Sequence, residues 1–218
     1  MIERILEPEV MDSDRDAREY DAMDHAAVNA QFVTDLLAVL KLDRPLVILD
    51  LGAGTAQIPI ELCLRVPDCR VVAVDAAESM LAVARKNVAA AGLAGRIELV
   101  LADAKRLPFR AAAFPVVISN SIVHHIAEPA GVLAEAVRVT PSGGPPFHRD
   151  LARPRDEREL ERIVATYAGD ATRYQKKLFS DSLRAALTLE EIQSLVARFG
   201  FAPSTVRMTS DRHWTWAA

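Results

Sequence analysis

The sequence is poor in cysteine, in basic tracts and in long apolar runs, and each scarcity excludes a class of protein. Two cysteines, Cys63 and Cys69, occur among 218 residues; they are too few for a disulfide framework and wrongly spaced for a zinc knuckle. No run approaches the roughly 20 apolar residues that a membrane span needs, and the first residues lack the charged-then-apolar order of a secretory signal. These absences predict a cytoplasmic protein with no membrane span.

The charge balance argues against a nucleic-acid partner. The net charge is −4 and the isoelectric point lies near 5.8, whereas nucleic-acid-binding domains usually carry a basic face. With 50% hydrophobic and 26% charged residues, the chain can build one domain with a sizeable core, although its length alone would permit two small domains. We expect a small-molecule substrate, and a homodimer is compatible with this composition.

The most informative segment is residues 47–56, where an apolar run ends and a glycine-containing loop begins. The run stops at Asp50, and the loop carries Gly52 and Gly54, which can turn sharply and approach a ligand without interference from a Cβ atom. The helix that begins near Gln57 points its N-terminus at the same place. Asp75 follows the next strand-like run at about the spacing at which an acidic residue holds ribose hydroxyls. Together these features predict a nucleoside cofactor.

The residues around the loop favour S-adenosylmethionine (SAM) over NAD. In the dinucleotide fingerprint the last position is glycine or alanine because helix and strand pack closely there, but this chain has Gln57. Asp50 places a carboxylate directly before the loop, where it would repel a pyrophosphate and attract an ammonium group. SAM carries an ammonium, a sulfonium and no phosphate. An NAD-type oxidoreductase therefore stands as the alternative.

Four segments, taken in order, resemble the class I SAM-dependent methyltransferases, specifically the small-molecule branch with the ubiquinone and menaquinone biosynthesis type. They are residues 50–56 (DLGAGTA), 74–81 (VDAAESML), 102–109 (ADAKRLPF) and 118–126 (ISNSIVHHI). The resemblance covers most of residues 30–150 and implies that each segment lies at the carboxyl end of a successive strand. It also implies methyl transfer from SAM to a small molecule by in-line displacement, with S-adenosylhomocysteine (SAH) as the product.

The same resemblance implies roles for individual residues. Asp50 would attract the methionine ammonium, Asp75 would accept hydrogen bonds from the ribose hydroxyls, and Asp103 would accept from the adenine amino group. The Ala104 amide would donate to an adenine ring nitrogen, and Asn120 would contact the methionyl part. The implied cofactor-binding set is Asp50, Gly52, Ala53, Gly54, Asp75, Ala76, Met80, Asp103, Ala104 and Asn120, with Met80 or Ala76 packing on the adenine.

The alternation of strand and helix patterns predicts an α/β fold. Strands are expected near 46–51, 70–75, 96–101 and 115–120, helices over 78–91 and after a capping box at Thr188, and a hairpin in the tail. The resemblance implies a Rossmann-like, doubly wound, seven-stranded sheet, mostly parallel with an antiparallel C-terminal strand, in a three-layer sandwich. Within one domain over 1–218, we assign an N-terminal helical lid (1–41), a SAM-binding core (42–151), a helical substrate cap (152–187), and a final helix with closing hairpin (188–218).

Catalytic groups are less clearly indicated, because methyl transfer requires alignment of the reactants more than it requires a base. The candidates for a base are His124, His125 and Tyr20, and the competing interpretations are loop support for the histidines and a solvent-facing helix position for the tyrosine. No short ligand spacing joins His124, His125 and His148 to a carboxylate or cysteine set, so we expect no metal.

Prolines depart from the family pattern at two strands. Pro115 stands where an aspartate usually opens the fourth strand, and Pro145 and Pro146 precede the fifth. Because proline has no amide hydrogen and is poorly tolerated in a central strand, we expect the fifth strand to start late, near Phe147, or to be locally distorted. A SAM-binding interaction protein without turnover is therefore a third interpretation.

Overall fold

A computed structural model describes residues 2–9, 12–23, 25–40, 45–144 and 146–218. The helices are α1 (Asp14–Asp21), α2 (Ala26–Val39), α3 (Gln57–Arg65), α4 (Glu78–Ala90), α5 (Ala130–Val139), α6 (Glu157–Ala168), α7 (Arg173–Ala185) and α8 (Leu189–Ala197). The strands are β1 (Leu46–Leu51), β2 (Cys69–Asp75), β3 (Ile97–Leu101), β4 (Val116–Asn120), β5 (Pro146–Leu151), β6 (Val206–Met208) and β7 (His213–Ala217). Short 3₁₀ helices cover Val123–His125 and Pro203–Thr205. No helix in these described ranges is long and apolar enough to cross a membrane.

The strands form a seven-stranded sheet in the order β3-β2-β1-β4-β5-β7-β6. β1 pairs in parallel with β2 and β4, and β2 pairs in parallel with β3, whereas β6 and β7 are antiparallel. The expected Rossmann-like sheet, mostly parallel with antiparallel pairing at the C-terminus, is confirmed. The strand order reverses between β1 and β4, and in such sheets ligands bind outside the carboxyl ends of the strands at that reversal.

Local signals placed most elements within one or two residues of where they lie. The capping box at α8 is present, because Thr188 Oγ1 accepts from the Glu191 amide at 3.2 Å and Glu191 Oε2 accepts from the Thr188 amide at 2.8 Å. α4 ends two residues before Gly92, whose φ of +70° suits the end of a helix. The two tail strands form the expected hairpin across residues 209–212.

The chain divides into two compact units that interleave along the sequence. The core unit contains residues 10–120, 131–148 and 217–218, and the C-terminal unit contains residues 1–9, 121–130 and 149–216. The core unit is held by apolar residues of β1, β2, β4 and the helices around them, including Phe32 and Phe147 in an edge-to-face contact. The C-terminal unit buries Leu160, Ile163 and Leu183 between α6 and α7.

The prolines before the fifth strand shift its start as expected. β5 begins at Pro146, one residue before Phe147, and all six of its residues are buried. A proline is tolerated at the first residue of a strand because that position need not donate a ladder hydrogen bond. Pro145 lies outside the described residues, and Pro115 directly precedes β4.

His213, at the start of β7, gives the C-terminal unit a specific pH dependence. Its burial, together with the nearby cations Arg212 and Arg149, lowers the pKa of His213 to about 4, and its Nδ1 lies 3.0 Å from Ser210 Oγ. The unfolded chain binds this proton near pH 6.5, so the folded state loses stability as the pH falls from about 6.5 to about 4. We expect His213→Gln to show a flatter dependence of the thermal unfolding midpoint on pH across that window. Parallel curves for the two proteins would contradict this prediction.

Candidate functional site

The loop after β1 bends sharply across the end of β2. Gly52 and Gly54 have φ values of +70° and +54°, a region that favours glycine. The amides of Gly52 and Ala53 both donate to the Val74 carbonyl, at 2.8 and 2.9 Å. Ala56, directly before α3, has φ +64°, a left-handed conformation that costs free energy in a residue with a Cβ atom. The loop is therefore held in a fixed, strained shape beside the topological reversal of the sheet.

Asp50 is a buried carboxylate that pairs with no basic side chain of the described residues. It is the penultimate residue of β1 and only 3% exposed. Among the described residues, its side chain makes neither a hydrogen bond nor an ion pair. Burial, and then the negative charge of Asp75, raise the pKa of Asp50 well above its ordinary value. A ligand cation placed here would relieve both causes at once.

Asp75 ends β2 and ties the glycine loop to the start of α4. Its Oδ2 accepts from the Gly54 amide at 2.8 Å, and its Oδ1 accepts from the Ala77 amide at 2.9 Å. The residue is partly exposed. The carboxylate is thus oriented by two amides at the edge of the glycine loop.

Asp103, Ala104 and Asn120 follow the ends of β3 and β4. The Ala102 amide donates to the Asp75 carbonyl at 3.0 Å, which brings the loop after β3 beside the end of β2. Asp103 is exposed; its Oδ1 accepts from the Lys105 amide at 2.8 Å, and its Oδ2 lies 3.5 Å from Lys105 Nζ. Asn120 ends β4, one residue beyond the pairing of Ser119 with Leu51. The four motif segments therefore meet along the carboxyl edge of adjacent strands.

Helix α1 lies over the glycine loop. Ala17 and Tyr20 of α1 pack with Ala77 and Met80 of the α4 region, and Tyr20 Cε1 would lie 3.6 Å from a Cβ atom at Gly54. Met80, which the sequence offered for adenine packing, is thus 5% exposed beneath α1, whereas Ala76 is exposed.

Two aspartates fasten this helix, and sequence reasoning missed both. Asp12 Oδ1 accepts from the Ser79 amide at 3.0 Å at the start of α4. Asp21 Oδ1 accepts from Gln57 Nε2 at 3.0 Å and from Asn87 Nδ2 at 2.8 Å. Their acceptor role depends on distant partners, so no local pattern marks them.

The three candidate bases fall in different units. Tyr20 belongs to the core unit, where burial and the charges of Asp75 and Asp50 raise its pKa. His124 and His125 belong to the C-terminal unit. His124 is 3% exposed and its Nδ1 lies 2.5 Å from Asp150 Oδ1; burial lowers the pKa of His124, but Asp150 and Glu7 raise it above the ordinary value.

Asp150 has a role that its sequence context did not indicate. Its Oδ2 accepts from the amides of Val123 and His124, at 2.5 and 3.3 Å, so one carboxylate positions both the ring and the backbone of the 3₁₀ turn. This supports the loop-supporting interpretation of His124.

Comparison with known proteins identifies the domain. A family profile described as a methyltransferase domain matches residues 48–144. The chain is 34% identical over 132 residues to malonyl-(acyl-carrier protein) O-methyltransferase of Geobacter sulfurreducens, covering 60% of this chain and 48% of that protein. It is 28% identical over 170 residues to a ubiquinone/menaquinone biosynthesis C-methyltransferase of the same organism, covering 73% and 66%. Residues 48–144 of this chain are therefore similar to a methyltransferase domain, and the similarity to named methyltransferases extends beyond those residues.

Solved structures of methyltransferases share the fold. A SAM-dependent methyltransferase from Aquifex aeolicus superposes with a TM-score of 0.66 at 15% identity, covering 94% of this chain and 97% of that one. The plantazolicin methyltransferase BpumL, solved in complex with SAH, gives a TM-score of 0.68 at 18% identity, covering 85% and 68%. The chain spans about half to two thirds of the length of the two curated relatives above.

The unpartnered state of Asp50 makes a prediction about stability. Asp50→Asn should stabilise the ligand-free protein by about 1 kcal/mol, because it removes a buried carboxylate that no described residue neutralises. Since the folded-state pKa is raised, wild-type stability falls as the pH rises above about 3.8, and the advantage of the variant should grow with pH. Chemical unfolding at several pH values measures this, with exposed Asp68→Asn as the matched control. A destabilised Asp50→Asn would contradict the prediction.

Proposed function

We propose that the protein transfers a methyl group from SAM to a small-molecule acceptor. The observation that carries this proposal is the buried, uncompensated carboxylate of Asp50 beside a second carboxylate, Asp75. A phosphate-bearing cofactor would increase the repulsion at this place, whereas the ammonium and sulfonium of SAM would neutralise it. Gln57 further disfavours NAD, because its exposed side chain donates to Asp21 where the dinucleotide fold needs a small residue.

The cofactor roles follow from the chemistry of each group and its place at a strand end. Asp50 would hold the methionine ammonium, and the carboxylate of Asp75 would accept from the ribose hydroxyls. Asp103 would accept from the adenine amino group, the Ala104 amide would donate to the ring, and Asn120 would contact the methionyl part. Because the amides of Gly52 and Ala53 are already bonded to Val74, the glycine loop would act through its shape rather than as a donor.

Methyl transfer from SAM requires the protein mainly to align the reactants and to exclude water. SAM supplies a methyl group that its sulfonium already activates. Tyr20 is poorly suited to act as a base near neutral pH, because its raised pKa keeps the phenol protonated. His124 and His125 are engaged by Asp150 and Glu7. We therefore assign alignment to the cofactor residues and no base to the chain.

We also propose which segments of the chain cover the cofactor site. The contacts of α1 with the glycine loop support a lid role for the N-terminal segment 1–41. The substrate-cap role of 152–187 is supported by the family resemblance and by the compact pairing of α6 with α7 around Leu160 and Leu183.

The buried free thiols of Cys63 and Cys69 support a reducing, cytoplasmic setting. Homodimer formation is a further expectation, which light scattering would decide.

Cofactor identity is the first test of the proposal. SAM and SAH should raise the thermal unfolding midpoint through binding to the folded state, and NAD should not. Asp75→Asn should weaken SAM binding by roughly 2 kcal/mol, about 30-fold, because it removes a charged acceptor; Asp50→Asn should weaken it comparably. Asp68→Asn serves again as control. A shift with NAD alone would overturn the proposal.

Turnover separates an enzyme from a protein that only binds the cofactor. We expect SAH to form when the protein and SAM are incubated with a panel of small hydroxyl, carboxyl and carbon-nucleophile acceptors. Tight SAM binding with no SAH formed across the panel would favour the non-catalytic interaction protein.

The lid role of α1 predicts a kinetic effect. Asp21→Ala removes the acceptor shared by Gln57 and Asn87, so SAM association and dissociation should both become several-fold faster while the equilibrium affinity changes less. Surface plasmon resonance measures both rate constants. Asp14→Ala is the matched control, since Asp14 lies on the same helix and only pairs with Arg18 at 3.3 Å on the surface. Unchanged rates in Asp21→Ala would contradict the lid role.

A further inference from the structure

Three potential metal ligands converge in the C-terminal unit, apart from the residues assigned to SAM. Oε1 of Glu7 lies 2.9 Å from His125 Nδ1 and 3.5 Å from His124 Nε2. All three ligand atoms lie within 4.8 Å of one another. Side-chain exposures are 13% for Glu7, 4% for His124 and 21% for His125, so the cluster is largely shielded from water.

The separations are close to those of atoms that share one metal ion. Ligands bound at 2.0–2.2 Å in tetrahedral geometry lie about 3.3 to 3.5 Å apart, as the bond lengths of zinc to histidine and carboxylate require. The 3.5 Å separation of Glu7 Oε1 from His124 Nε2 falls in that range, and the 2.9 Å separation from His125 Nδ1 is slightly shorter. A small movement of the exposed side of the His125 ring would bring all three atoms to metal-binding distances.

Asp150 supplies the support that metal-bound histidines usually have. Its Oδ1 lies 2.5 Å from His124 Nδ1, and a proton on that nitrogen leaves the lone pair of Nε2 directed toward Glu7. A cation between this lone pair and the Glu7 carboxylate, either a proton or a metal ion, offsets their repulsion. Such a carboxylate behind a ligating histidine fixes the tautomer and raises the basicity of the ligand.

Glu7 is held in place by the segment around it. Arg4 donates through Nε to the Ala185 carbonyl at 2.7 Å and through Nη2 to the Ile126 carbonyl at 3.0 Å. Ser182 Oγ lies 3.2 Å from Glu7 Oε1. The N-terminal segment is therefore anchored to both α7 and the 3₁₀ turn, so the glutamate is presented to the histidines by a fixed backbone.

We propose that Glu7, His124 and His125 bind a divalent transition metal ion, with zinc as the best match to two imidazoles and one carboxylate. The sequence analysis expected no metal because it considered His148, and not Glu7, beside His124 and His125. Three protein ligands leave a coordination position open, which would take water or an anionic oxygen or sulfur of a ligand. Imidazole donors select against magnesium, which prefers oxygen.

The experiment measures metal binding on the full chain after chelator treatment and dialysis. Isothermal titration with Zn²⁺ should give one ion per chain at micromolar affinity or tighter, Mg²⁺ should give no heat, and Co²⁺ should give visible bands of a low-symmetry nitrogen and oxygen site. Glu7→Gln and His125→Gln should each weaken Zn²⁺ binding at least tenfold. Exposed Glu3→Gln, in the same segment, should leave it unchanged.

The possible results distinguish a bound metal ion from a shared proton, and they test the metal site independently of the cofactor site. Absence of stoichiometric Zn²⁺ binding, or equal binding by Glu7→Gln, His125→Gln and wild type, would overturn the proposal and leave a histidine–carboxylate pair that shares a proton. The thermal shift produced by SAM in the metal-free protein should persist in His125→Gln. Failure of the metal site would therefore leave the cofactor proposal intact, and a lost SAM response in the wild type would leave the zinc titration informative.

Discussion

The arrangement of the core unit depends on the carboxylate of Asp75. Its two oxygens accept from the amides of Gly54 and Ala77, and so they join the loop after β1, the end of β2 and the start of α4. The two amides that bond to Val74 and the bond from Asn87 Nδ2 to the Thr55 carbonyl hold other parts of the same loop. Charge-assisted hydrogen bonds are about twice as strong as neutral ones, which suits a single residue that must hold two segments.

The same carboxylate also sets the electrostatics of its neighbours. Its charge contributes to the raised pKa values of Asp50 and Tyr20, so the glycine loop is bordered by acidic groups that destabilise one another. Such a cluster lowers the stability of the ligand-free protein and increases the gain when a cation binds. Ala56 in the same loop has a left-handed, strained backbone conformation. Such strain persists where the surrounding structure fixes it, and it often marks functional sites.

Local patterns were sufficient for most of the elements and for the position of the proposed cofactor residues at strand ends. β1 to β4, α4 and α8 follow from apolar runs, glycines and caps that each occupy a few consecutive residues, and the strand-end aspartates follow from those strands. The groups that sequence reasoning missed are those whose meaning depends on distant partners. Asp21 gains its role from Gln57 and Asn87, and Asp150 gains its role from the turn at His124, so neither carries a recognisable spacing along the chain.

The histidine pair illustrates why ligand spacing along the sequence does not describe the side-chain clusters of the C-terminal unit. Along the sequence, no carboxylate or cysteine stands at a short ligand spacing from these histidines. The carboxylate that approaches His124 and His125 comes from Glu7, near the start of the chain. Adjacent histidines in a 3₁₀ turn direct different ring nitrogens to one point, because one ring is held at Nδ1 by Asp150 while the other presents its Nδ1 to Glu7. The ligand spacings typical of helices and zinc knuckles do not describe this arrangement, because the two rings present different nitrogens to Glu7. Asp150 holds His124 at Nδ1 and so leaves Nε2 facing Glu7.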